Sequence, residues 1–170
     1  AQKNQNCFTI DKITGYLETF SFPLDKNFLP KNEEDVEKNL PVLVYKLRRS
    51  YQPMAPEIKW KDLWKEKLNK GEKVPSTVDA DIQVIKIGPI SIIGFPGDTM
   101  SEIGLKIKKH LPYAVPVSNS NGRIGYIPSA QGLKDGGYES SFFFYAGFPG
   151  PYDITMEKKL IDRVLELSEK

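Results

Sequence analysis

The stretch from Ile82 to Gly104 constrains the fold more than any other part of the chain. An apolar run over Ile82–Ile87 meets Gly88-Pro89, and a second over Ile90–Phe95 ends at Pro96-Gly97. Runs of about six apolar residues, rich in β-branched side chains and bounded by Gly and Pro, predict buried strands. The period then changes. Met100, Ile103, Ile107 and Leu111 recur at intervals of three and four, the stripe of a helix lying on a sheet. Thr99 followed by Glu102 has the spacing of a capping box and predicts where that helix starts. Side chains at a strand–turn–helix junction project past the carboxyl end of the strand, a frequent place for ligands in open sheets. Asp98 stands there. The expected class is α/β, a mixed β-sheet flanked by helices.

The remaining segments fill in around this centre. Phe8–Phe22 alternates imperfectly and predicts one or two strands with a turn near Gly15. Asn32–Lys38 is acidic and helix-like, with Asn32 as cap; Pro41 should interrupt it, and Val42–Leu47 fits a helix turn or a strand. Trp60, Leu63, Trp64 and Leu68 predict a helix ending near Gly71, with the five lysines between Lys59 and Lys70 as its solvated face. Lys73–Asp81 reads as a polar connector, and Val115 and Val117 as a short strand. Ser118–Ser129 is rich in turn-forming residues, and Gln131–Gly137 extends that loop. Phe142–Tyr145 reads as a buried strand, with a lipid-contacting patch as the other reading. Thr155–Leu167 predicts a closing helix with Met156, Leu160, Val164 and Leu167 on one face.

Composition narrows the function classes. With 24 basic and 22 acidic residues and no basic stripe, nothing points to a nucleic-acid partner. A single cysteine, Cys7, excludes an internal disulfide. No apolar run approaches the ~20 residues that cross a bilayer, and no transmembrane segment or signal peptide is expected. Gly94 to Asp98 lacks the Gly-Lys-Ser/Thr of a phosphate cradle, and an acid at the helix start opposes phosphate.

The ordered pieces from Ile82 to Lys170 resemble the neutral (non-lysosomal) ceramidase family, specifically the C-terminal half of its catalytic domain. The pieces are the strand pair, Phe95-Pro-Gly-Asp98, the helix Glu102-Ile-Gly104-Leu-Lys-Ile, Ser118-Asn-Ser-Asn-Gly, Gly125-Tyr126-Ile-Pro-Ser, Gly137-Tyr138-Glu139 and the closing helix. The resemblance implies that residues 1–170 are one domain, part of a larger two-sheet catalytic domain. It implies a zinc amide hydrolase that releases a fatty acid from N-acylsphingosine or a related N-acyl lipid, at a secreted or periplasmic address. Zinc makes hydroxide available near neutral pH and polarises the carbonyl. By the resemblance Asp98 and Tyr126 are metal ligands, and Tyr138 is the catalytic hydrogen-bond donor to the oxyanion. The two histidine ligands belong to an N-terminal half that this chain lacks.

This sequence departs from the family at two points. The family usually has glutamate where Asp98 stands, and aspartate draws the carboxylate back by about 1.5 Å. His110 is the only histidine, placed beside Lys109 near a helix end, so no zinc-binding histidine pair exists in the chain. The residues also have ordinary roles. Asp98 can cap a helix, Tyr126 and Tyr138 can be half-buried loop tyrosines, and His110 can sit at a helix C-terminus. Two further functions stay open: a non-catalytic module binding lipid or protein through Ser118–Gly137, and a related amidase with a non-ceramide substrate.

Overall fold

Alternation along Ile13–Pro23 sets the first layer. In the computed structural model, which describes residues 10, 12–48 and 53–170, this segment is one strand, β1, with no turn at Gly15. It pairs antiparallel with β2 (Thr77–Ile87), Gly15 lying opposite Ile85. The two-residue period of a paired strand thus overrides the local turn preference of glycine. Phe8, Cys7 and Ala1–Asn6 lie outside the described residues. The predicted connector Lys73–Asp81 is also corrected, because β2 begins at Thr77. Asp79 and Asp81 belong to the strand on its outward face, where Thr19 Oγ1 donates to Asp81 at 2.7 Å.

The Gly88-Pro89 turn leads into β3 (Ile90–Gly94), antiparallel to β2. Helix α3 (Ser101–His110) then crosses to β5 (Ala114–Val117), parallel to β3; between β3 and α3 lies a two-residue strand, β4 (Asp98–Thr99). The sheet order is β1-β2-β3-β5, a mixed sheet as expected. Its inner face packs on α3 and on the closing helix α7 (Met156–Ser168). Ile103 and Ile107 meet Met156, Leu160 and Val164 there, with Phe22, Ile82, Val84 and Ile93 from the strands.

A second core forms between helices. Asn32 caps α1 (Glu33–Leu43) by accepting from the Asp35 amide at 2.8 Å. Pro41 does not end α1. The helix runs on through it, the Val44 amide bonding Leu40 O, into a π turn at Val44–Arg48, and Leu40, Leu43 and Leu47 stay buried. Helix α2 (Ala55–Asn69) buries Trp60 and Trp64 and leaves its lysines outward, where Lys67 pairs with Glu72 and Lys65 with Glu37.

The outer face of the sheet carries Ile13, Leu17, Ile85, Ile87, Ile90, Ile92, Val115 and Val117, brought side by side by strand register. Ile13 is 64% exposed, Leu17 60%, Val115 46% and Val117 36%. Strands apolar on both faces belong to sheets covered on both sides, and among the described residues this ladder is covered on one.

Candidate functional site

The turn after β3 is held by backbone bonds rather than by a cap. The Phe95 amide donates to Val117 O at 2.9 Å, Asn119 to Gly97 O at 3.1 Å and Ile124 to Pro96 O at 2.8 Å. The polar loop Ser118–Ile124 is thereby wrapped around Phe95–Gly97. Asp98 donates its amide to Gly125 O at 2.7 Å, and Met100 to Ile127 O at 3.1 Å. These bonds make β4 parallel to β6 (Tyr126–Ile127), with Asp98 in register with Tyr126.

Two glycines permit this approach. A Cβ on Gly97 would lie 2.4 Å from Gly125 O. Gly125 has φ +89, and a Cβ there would lie 2.3 Å from Phe142 Cε1. Both contacts are far inside van der Waals distance, so a side chain at Gly97 would push the two segments apart and one at Gly125 would collide with the Phe142 ring.

The expected capping box does not form. Thr99 belongs to β4 and its amide donates to Ser118 Oγ at 3.0 Å; α3 starts after Met100 with no side-chain cap. The same finding removes helix capping as the role of Asp98, whose side chain is exposed. Pairing with β6 has taken the place of the cap, because it satisfies the backbone at the turn.

Three short helices surround Tyr138 where a loop and a strand were expected. Ser129 Oγ accepts from the Gly132 amide at 3.0 Å and starts α4 (Ala130–Asp135), so Gln131–Gly137 is largely helical. Next come α5 (Tyr138–Ser141) and α6 (Phe143–Ala146), which correct the predicted strand at Phe142–Tyr145. Helical turns send Phe143 and Phe144 into the second core against Trp60, at ring distances of 6.0 and 5.4 Å. Phe142 and Tyr145 are left on the opposite side, stacked at 5.5 Å with 14° between planes. Tyr138, Phe142 and Tyr145 are spaced i, i+4, i+7, a helical signal that a four-residue window misses.

The backbone brings the three residues singled out in the sequence into one neighbourhood. Tyr126 is paired with Asp98, and its ring meets Tyr138 edge-on at 5.5 Å and Phe142 at 5.2 Å. Tyr138 is 47% exposed. Beside it Arg123, Ile124, Phe142, Tyr145 and Phe148 line an open hollow of about 350 Å³. His110 does not join them. It ends α3, exposed among the basic residues of the last turn, about 14 Å of helix from Ser101.

A catalytic zinc takes three protein ligands and keeps one position open. Asp98 and Tyr126 are neighbours in backbone register, and among the described residues no three His, Cys, Asp or Glu side chains form a cluster. These residues do not hold zinc unaided. Nor is any described helix long and apolar enough to cross a membrane.

No protein-family model matches the chain, and no curated protein matches it in sequence. Among the solved structures similar to it in part are two ceramidases. One, described as a ceramidase complexed with C2, is 16% identical with a TM-score of 0.39, over 56% of this chain and 15% of its own. The other, a neutral ceramidase from Pseudomonas aeruginosa, is 15% identical with a TM-score of 0.37, over 92% of this chain and 29% of its own. The chain therefore spans less than a third of either, and at these TM-scores the likeness decides nothing about chemistry.

Proposed function

We propose that this chain is the carboxylate-and-tyrosine part of a ceramidase-like, zinc-dependent amide hydrolase acting on an N-acyl lipid. The observation that supports the reading is the convergence of Asp98, Tyr126 and Tyr138, chosen from the sequence by one resemblance and separated by up to forty residues. In this reading Asp98 and Tyr126 offer oxygen donors. Tyr138 donates its hydroxyl proton in a hydrogen bond to the oxygen of the amide carbonyl as that oxygen gains charge. A phenol suits the task because it donates while neutral. The histidines come from polypeptide outside these 170 residues, and a second sheet from that polypeptide packs on the bare face carrying Leu17, Ile92 and Val115.

The test is the intact mass of the native polypeptide from its own cell, with zinc quantified in the same sample. The expected result is a mass well above 19.3 kDa and about one zinc per chain. A native chain of that mass without zinc overturns the hydrolase reading. The lack of a metal cluster among the described residues then favours a non-catalytic module that binds lipid or protein through Ser118–Gly137.

A further inference from the structure

The aromatic cluster at Tyr138 is held from behind by a buried carboxylate that the sequence did not single out. Glu157, in the first turn of α7, is 4% exposed. Its Oε1 accepts from Lys106 Nζ on α3 at 2.7 Å, and its Oε2 accepts from the Ala130 amide at 3.1 Å. A carboxylate buried this far must be paired, and here one group ties the first residue of α4 to both helices under the sheet. Helix α4 follows β6 directly, so Glu157 fixes the chain three residues beyond Ile127 and four beyond Tyr126. The linkage continues to Tyr138. Ser129 Oγ holds the Gly132 amide, and the Gly132 carbonyl accepts from Ser140 Oγ at 2.7 Å, within the same short helix as Tyr138. Met100 closes the loop on the other side, its Sδ 3.3 Å from the Ser129 amide.

We infer that Glu157 is a positioning residue for the Tyr126–Tyr138 pair, acting through the Ala130 amide, α4 and Ser140. The inference rests on the proposed function only in giving that pair a catalytic task; the linkage itself is read without substrate or metal.

The experiment is ¹⁹F NMR of the full-length protein labelled with 3-fluorotyrosine, each resonance assigned by a Tyr→Phe replacement. Glu157→Ala should shift the Tyr126 and Tyr138 resonances and leave Tyr16 and Tyr113 in place. Glu157→Gln keeps an acceptor for the Ala130 amide and should restore the original positions. Ser140→Ala breaks the later link alone and should move Tyr138 more than Tyr126. If Glu157→Ala leaves both site resonances unmoved, or moves Tyr16 and Tyr113 equally, the inference fails. If that variant does not fold, an unmoved Tyr138 in Ser140→Ala overturns it. Because no turnover is read, a protein that proves inactive leaves this outcome intact.

Discussion

Gly125→Ala tests whether close packing of the Phe142 ring on the Gly125 backbone holds the site together. At φ +89 a Cβ carries the cost of left-handed backbone, about 1–2 kcal/mol for an ordinary residue. The Cβ would also lie 2.3 and 2.4 Å from two carbons of the Phe142 ring. That ring cannot simply swing away, since it is packed between Tyr126 at 5.2 Å and Tyr145 at 5.5 Å. Overpacking of this kind costs about 1–3 kcal/mol. The sum is about 3 kcal/mol, which in a protein of this size lowers Tm by about 6–12 °C. Gly71→Ala is the control: φ is +71, nothing lies within 4 Å of its added Cβ, and only the backbone cost of about 1 kcal/mol applies. Both variants are compared by calorimetry and urea unfolding. The double variant Gly125→Ala/Phe142→Ala should show a favourable coupling of about 1–2 kcal/mol. A loss for Gly125→Ala within about 0.5 kcal/mol of that for Gly71→Ala, with no coupling to Phe142, would refute the packing argument.

Three other outcomes are expected. In the full-length protein Tyr138→Phe should lower amide turnover by about 10²-fold, as loss of an oxyanion donor does, with zinc content unchanged; equal turnover removes Tyr138 from the mechanism. Leu17→Cys and Val115→Cys should react with a maleimide at least about tenfold more slowly than Leu105→Cys, which lies 60% exposed on α3; equal rates mean that no second sheet covers the face. The Arg163 guanidinium on α7 hydrogen-bonds Glu18 and holds its carboxyl below the ordinary range. A depressed carboxyl stabilises the fold above its unfolded value and loses that contribution as pH falls through the folded one. Arg163→Met should therefore flatten the fall in urea midpoint between about pH 6 and about pH 3, and an unchanged slope would exclude the pair as its source.

Much of the fold was legible because burial is one-sided where the helices lie. Ile103 and Ile107 on α3, and Met156, Leu160 and Val164 on α7, form stripes that only a helix on a sheet can bury. The failures have equally local causes. Asp79 and Asp81 hid the start of β2, since outward strand positions there carry charge while Val78 and Ala80 face in. Four consecutive aromatics at Phe142–Tyr145 satisfy any period; only with Tyr138 included does the spacing become helical. Thr99 and Glu102 had capping-box spacing, but a competing backbone pairing with β6 claimed Thr99 first. Glu157 was illegible for a different reason. Its partners lie 51 and 27 residues away, and nothing near it in sequence distinguishes it from a solvated helix glutamate.

In the proposed reading, the exposed apolar face and the Asp98–Tyr126 pair adjoin one another, and that adjacency links fold to function. The outer ladder runs through Ile90, Ile92 and Gly94 of β3, beside Val115 and Val117 of β5. Four residues after Gly94 the same strand direction delivers Asp98 to Tyr126. An apolar face of this extent keeps water off only when another layer lies on it, and the proposed zinc site, with Asp98 and Tyr126 as donors, would need a third protein ligand. A layer docked on β3 and β5 would end beside the turn that presents Asp98, so one missing element can supply both the cover and the ligands. Slow labelling at Val115 together with zinc in the native protein would tie the two needs to that layer. Fast labelling with zinc present would separate them, and the histidines would then have to arrive from the side of the Ser118–Ile124 loop.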